Sequence, residues 1–242
     1  MTKPIRQSID GRDASNTLRT VSAVDALYAE LRHQLLHEDG FPAGKPVKES
    51  VVANQYAISR NTVRAALLRL STDGLLVHRT NFGWAVPEFS QSNWLTVSDF
   101  RTAIESEAAR IAVERKYGPA PTVSLCLDAL TSAGDDLTWE QRLTLDLDFH
   151  SALVESSHSP YLIENYRKVR DLNQLLLRQQ RTWGMQYDRD VWLMSHVVLK
   201  DALQQTDPDA AARAVRDHIH GAFHLRARTH SSGAAPTTTE QV

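Results

Sequence analysis

The sequence has one cysteine in 242 residues. A single thiol excludes an internal disulfide and a thiolate zinc cluster. Cys126 sits in an apolar helical stretch and reads as a packing residue. No run of 18 apolar residues occurs, so no transmembrane helix is expected and no membrane partner. Met1 to Asp13 is polar and carries no secretory signal, so the chain is expected to be cytoplasmic. Strong charge of one sign is also missing. The formal net charge is −2, which gives no general indication of nucleic-acid binding. There is no internal repeat, and beyond Leu95 no stretch reads as a strand. What the chain does have is a 42% hydrophobic fraction, enough for one large or two modest domains with real cores. Its charge is also uneven. Residues 1–86 hold 11 Lys and Arg against 8 Asp and Glu. The first 86 residues are therefore mildly basic and the remainder mildly acidic, an asymmetry in the direction expected for a DNA-reading head and a neutral or acidic body.

The segment Ile58 to Leu70, ISRNTVRAALLRL, organises the head. Val63, Ala66, Leu67 and Leu70 fall at i, i+3, i+4 and i+7 and form one apolar stripe. Ser59 stands where an N-cap belongs, offering an acceptor to the first free N–H groups. Arg60, Asn61, Thr62, Arg64 and Arg69 lie on the other faces. Arg can bind guanine O6 and N7 with two bonds, Asn can do the same to adenine, and Thr offers a methyl or a hydroxyl. Upstream, Glu49 to Tyr56 is a second short helical stretch, joined to the first through Ala57 and Ile58. Two short helices with so tight a joint predict a helix-turn-helix. Asp73-Gly74 ends the second helix, with Gly as its C-cap. Leu75 to His78 and Trp84 to Val86 then read as strands of a hairpin wing.

These pieces carry a resemblance. Val24 to Val86 resembles the winged-helix DNA-binding domain of GntR-family bacterial transcription regulators, through Ala43-Gly44, Val52-Ala53, ISRNTVRAALLRL, Asp73-Gly74-Leu75 and the wing Gly83. The resemblance implies that Arg60, Thr62 and Arg64 touch DNA. With their neighbours they give a candidate DNA-binding set of Ser59, Arg60, Asn61, Thr62 and Arg64 on the helix, and Asn81 and Gly83 in the wing. Three positions depart from the family pattern. Ser50 stands where Arg is frequent. Ala57 takes a turn position commonly Gly, at a cost of roughly 1 kcal/mol if its φ is positive. Asn81 stands where Gly is frequent, and Asn tolerates positive φ better than most residues.

The rest of the chain is read as helical. Residues 1–20 are expected as a flexible arm, 21–87 as the winged helix, 88–95 as a linker, 96–230 as an all-α bundle, and 231–242 as a disordered tail. The first helix, Ser22 to Leu36, presents Val24, Leu27, Leu31 and Leu35 to a core. Six further helices are predicted at about 96–117, 120–132, 138–156, 160–183, 188–205 and 208–230. Thr138 with Gln141 three residues on, Pro160, and Asp207-Pro208 mark their starts. Within the bundle, Asp146 and His150 are four apart and share a helix face. His196 and His218 lie on later helices among apolar neighbours. One carboxylate and three imidazoles from three helices could converge on a divalent transition metal. Each could instead be a singly satisfied histidine, since the chain holds ten.

Residues 96–230 resemble the FadR-type ligand-sensing (FCD) domain, in the six-helix form of the VanR subgroup. The matching stretches are DFRTAIESEAARIAVER, DLDFHSALVESSHSPYL, and the span opening at His196 and closing with DPDAAARAVRDHI. The resemblance implies a metal held by Asp146, His150, His196 and His218, with zinc ahead of nickel or manganese. It also implies a small carboxylate or hydroxy-acid effector at the metal's open positions. Arg101 matches an effector-binding Arg of the family, and its alternative is an ion pair with Glu105, four residues on. The implied function is a ligand-responsive, homodimeric regulator reading an inverted repeat of operator DNA. Two other readings are an acyl-CoA-type sensor without metal and a metal-dependent enzyme. No motif places a general base or nucleophile beside the ligands, and an enzyme would leave the DNA-reading head unexplained.

Overall fold

A computed structural model describes residues 22–38, 40–132, 137–180 and 189–231. The arm expected over 1–20 and nearly all of the tail expected over 231–242 lie outside these residues.

The head contains α1 (Ala23–His37), α2 (Glu49–Tyr56) and α3 (Arg60–Thr72), with a small antiparallel sheet of β1 (Pro46–Val47), β2 (Val77–Arg79) and β3 (Gly83–Ala85) in the order β1-β3-β2. Ser22 caps α1 by accepting from Asp25 N at 3.1 Å, and Ser59 caps α3 by accepting from Thr62 N at 3.1 Å. Leu27, Leu31 and Leu35 of α1 and Val63, Ala66, Leu67 and Leu70 of α3 are all buried in one cluster. Each fully buried leucine there stabilises by about 1.5–3 kcal/mol. The turn between α2 and α3 puts Ala57 in the left-handed region, with φ 53° and ψ 42°. Asn81 at the wing tip also has positive φ, 63°. Strand β1 is absent from the sequence reading: two residues are too few to show an alternation. Its register pairs Val47 with Trp84, which closes the hairpin into a three-stranded sheet.

The body holds α4 (Gln91–Glu114), α5 (Pro121–Ser132), α6 (Trp139–Glu155), α7 (Pro160–Gln180), α8 (Arg189–Ala202) and α9 (Pro208–Ser231). The segment expected as a linker, 88–95, is shorter than that. Ser90 and Asn93 form a reciprocal capping box that starts α4 at Gln91, so helix already runs through the second half of the expected linker. The Thr138–Gln141 box starts α6 as expected. Helices α4 and α9 pack closely against each other. Both give small buried residues to the bundle core, Ala108 and Ala112 from α4 and Ala211 from α9, and small side chains let backbones approach.

Helix α7 belongs to both halves. Leu175 is buried in the cluster of the head, whereas Leu176 and Leu177 are buried with Trp94, Leu143 and Leu147. Asp171 of α7 accepts both Nε and Nη2 of Arg32 of α1. Gln174 Nε2 donates to Leu36 O at 3.0 Å, and Gln179 Nε2 donates to Pro87 O at 2.8 Å. Gly74, with φ +79°, lies so close to α7 that a Cβ there would meet Leu172 Cδ2 at 2.9 Å. The positive φ favours glycine here, and a Cβ would in addition force the Leu172 methyl aside.

Candidate functional site

In the body, α6 presents His150 from its buried stripe of Leu143, Leu147 and Leu153, with Asp146 one turn earlier. Helix α8 brings His196 and α9 brings His218. A nitrogen from each of the three imidazoles lies within 4.8 Å of the other two. His150 Nε2 and His218 Nε2 are 3.2 Å apart. Asp146 Oδ1 lies 3.1 Å from His196 Nε2 and accepts the indole N–H of Trp192 at 2.7 Å. The structure therefore brings all four predicted ligands together, although only the three histidines share one tight cluster.

The other ring nitrogens fix the tautomers. His196 Nδ1 is 2.8 Å from the backbone carbonyl of Trp192, which can only accept, so Nδ1 carries the proton. His150 Nδ1 is 2.7 Å from Glu105 Oε2, again an acceptor. In both rings the neutral form then leaves a lone pair on Nε2. That of His196 lies beside the Asp146 carboxylate with no hydrogen bond of good geometry, although the atom is buried. Two buried ring nitrogens beside a carboxylate that keeps 18% of its side chain exposed make a set of donors that suits a cation. Two ligands about 2.1 Å from one transition metal sit roughly 3.0–3.4 Å apart, and the His150–His218 separation falls in that range. The residues fit a divalent metal on this ground.

The charges around the cluster agree. Burial alone would raise the pKa of Asp146, but a proton on the His196 ring, positive charge at His150 and His196, and Arg101 outweigh it and hold the carboxyl well below its usual range. Positive charge is thus favoured where these rings meet it, and a bound cation would supply the same charge in place of the protons. Burial above all pushes His218 well below the usual imidazole value, so its ring stays neutral and free to ligate.

Arg101 combines its two readings. Its Nε donates to Glu105 Oε1 at 2.7 Å, so the ion pair exists, but it is buried rather than on the surface. Burial opposes the charge on Arg101, and Glu105 more than restores it, so the guanidinium stays charged. Its Nη2 is buried without a hydrogen-bond partner. The Tyr166 hydroxyl of α7 lies against the Glu105 carboxylate but short of a well-formed hydrogen bond. One buried cationic edge and one buried hydroxyl are thus left over beside the histidines. Sequence reasoning missed Tyr166, Trp192 and the role of Glu105 as the acceptor that turns His150. Trp192 precedes His196 by four residues and Glu105 follows Arg101 by four, so helical spacing held part of that signal.

In the head, a cleft runs between the start of α2, α3 and the wing, lined by Lys48, Ser50, Arg60, Arg64, Asn81 and Gly83 among others. Arg60 and Asn61 are exposed. The Ser59 hydroxyl is engaged in capping and lies 2.8 Å from Thr62 Oγ1, so these two hydroxyls serve the start of α3. Arg64 is exposed but paired with Glu49.

Fold and site together define a class: a winged-helix DNA-binding head joined to a helical bundle with a polar, histidine-lined interior. The GntR family description, that of bacterial regulatory proteins, matches residues 23–86, and the FCD domain description matches residues 96–221. The chain belongs to the GntR family of bacterial transcription regulators, in its FCD branch. It is 24% identical over 216 residues to the galactonate operon transcriptional repressor of Escherichia coli K12, covering 81% of this chain and 93% of that one. It is 28% identical over 206 residues to the transcriptional repressor RspR of the same organism, covering 80% of this chain and 84% of that one. The solved structure of Escherichia coli McbR/YncC shares the fold, with a TM-score of 0.68 at 20% identity, over 87% of this chain and 100% of that one. Both domains and the relatives are those of a transcription regulator and not of an enzyme. Among the described residues no helix is long and apolar enough to cross a membrane.

Proposed function

We propose that the bundle of this regulator holds a divalent transition metal on Asp146, His150, His196 and His218, zinc ahead of nickel or manganese, and senses a small organic acid there. The observation that carries the reading is the pair of imidazoles whose Nδ1 protons are committed to Glu105 and to the Trp192 carbonyl, which turns their Nε2 lone pairs inward. When bound, the metal supplies positive charge and orientation for a carboxylate. The chain supplies the second anchor, the free Nη2 of Arg101 with the Tyr166 hydroxyl beside it. A relative named for the galactonate operon, whose name is that of a hydroxy acid, supports this effector class. An acyl-CoA would use a long apolar cavity, and the polar cluster disfavours it.

Two copies are proposed to form a homodimer whose heads read an inverted repeat in the cytoplasm, through Arg60, Asn61 and Arg64 in the groove and Asn81 and Gly83 at the wing. Helix α7 couples the two sites. It carries Tyr166 at the sensor and Asp171, Gln174 and Leu175 at the head.

Elemental analysis of purified protein, stripped with chelator and reloaded with zinc, nickel or manganese, tests the metal. About one ion per chain is expected for wild type and a clear loss for His196→Ala. At free metal 100-fold above Kd, binding should add about 2.7 kcal/mol to stability. A wild-type protein that takes up none of the three metals overturns the reading.

A further inference from the structure

In the head, one carboxylate is shared by three elements. Glu49, in the first turn of α2, accepts Arg64 Nε at 3.0 Å on Oε1 and Arg64 Nη2 at 2.8 Å on Oε2. Its Oε1 also accepts the indole N–H of Trp84, from β3 of the wing, at 3.1 Å. Trp84 is 8% exposed and is held edge-on by His78, with ring centroids 4.7 Å apart. The carboxylate is therefore anchored to the head before it meets Arg64. The Arg64 side chain keeps 62% of its surface in solvent.

We propose that Glu49 is the positioning residue of Arg64, holding the recognition-helix guanidinium for base reading. This inference rests on the reading of Arg64 as a groove contact. The geometry of the pair makes the case. Glu49 grips the side of the guanidinium through Nε and Nη2. The end of the fork, with both Nη1 protons and one on Nη2, stays free. That end is the part that binds guanine O6 and N7 with two bonds. A long, flexible arginine held at its side loses less freedom when it docks, and its fork arrives in one orientation. The carboxylate also carries a cost, because it places a negative charge in a cleft that faces phosphates. Glu49 should thus lower binding to any duplex while raising discrimination between duplexes. A residue that only stabilised the head would move both in the same direction.

The full-length chain is first used to select its preferred duplex from a random library. Fluorescence anisotropy at one fixed salt concentration then compares that duplex with a scrambled one, for wild type, Glu49→Gln, Arg64→Ala and the double variant. Gln is isosteric and keeps an acceptor for Trp84, and thermal melting checks that each variant folds. Glu49→Gln is expected to reduce the ratio of preferred to scrambled affinity on the order of tenfold, with scrambled affinity unchanged or higher. In the Arg64→Ala background it should reduce the ratio no further. If Arg64→Ala reduces the ratio and Glu49→Gln leaves it unchanged, the proposal is overturned; if Glu49→Gln improves the ratio, it is overturned and Glu49 masks Arg64 instead. If Arg64→Ala leaves the ratio at its wild-type value, the groove-contact reading fails and the proposal falls with it.

Discussion

Two arginine–glutamate pairs serve the two halves of this regulator, and they differ in nearly every physical respect. Arg64–Glu49 bridges two helices at the surface of the head, with the arginine side chain 62% exposed. Arg101–Glu105 lies within one helix of the body, with 9% and 0% of the side chains exposed. An exposed pair adds little net stability, because water screens it and two side chains must be held still. Its value is geometric. A buried pair has already lost its water, so each partner depends on the other, and any donor left over is a standing demand for a ligand. Arg101 Nη2 is such a donor. On the readings proposed above, the same two residue types orient a contact in one domain and prepare a binding site in the other.

The comparison breaks most sharply at Glu105. Glu105→Ala leaves Arg101 buried and unpaired and removes the acceptor of His150 Nδ1, at a cost of about 3–5 kcal/mol. For a chain of this size that is a fall of roughly 6–20 °C in Tm, measured in chelator so that metal loss does not contribute. Glu49→Gln, the matching change in the head, should shift Tm by less than about 3 °C. Equal losses would mean that burial does not separate the two pairs.

The next effect concerns coupling. An acid that binds the body should change operator affinity by roughly 5–150-fold, and operator should change acid affinity by the same factor. Titrating the acid with and without operator measures this. Arg32→Ala combined with Gln174→Ala cuts the polar contacts between α1 and α7, and should bring the factor towards one while acid affinity without DNA holds. Coupling that survives intact would route the signal elsewhere than through α7.

The smallest effect sits at the turn of the helix-turn-helix. Ala57 holds φ 53°, a region that disfavours a Cβ. Ala57→Gly should raise stability by up to about 1 kcal/mol, a gain in Tm of roughly 2–4 °C. A fall in Tm would show that the left-handed turn is relaxed.

Much of this was legible in the sequence where the signal is local. The Ser59 cap, the Thr138–Gln141 box and the Val63–Leu70 stripe are set by residues within a few positions of one another. Asp146 and His150 were readable as a pair because four residues make one helical turn, and the two later histidines joined them through the family resemblance. What depended on packing was not legible. Glu105 turns His150 across 45 positions and Glu49 grips Arg64 across 15, and neither spacing has a period. The Arg32–Asp171 contact spans 139 positions, and nothing in either segment alone announces it. The linker was read too long because the Ser90–Asn93 box has Asn, rather than Glu or Gln, in the reciprocal position.

Leu175 has a consequence for engineering. It is a body residue that completes the hydrophobic cluster of the head. A head grafted onto a foreign body would carry an unfilled socket, with the Leu36 carbonyl missing its Gln174 donor and the Pro87 carbonyl missing Gln179. Chimaeric sensors built from this chain should therefore be cut not at the short connection before Gln91 but so that the face of α7 travels with the DNA-binding domain. In that sense the two domains are separate in sequence and joined as a transplantable unit, and the seam for exchange runs along a helix rather than through a loop.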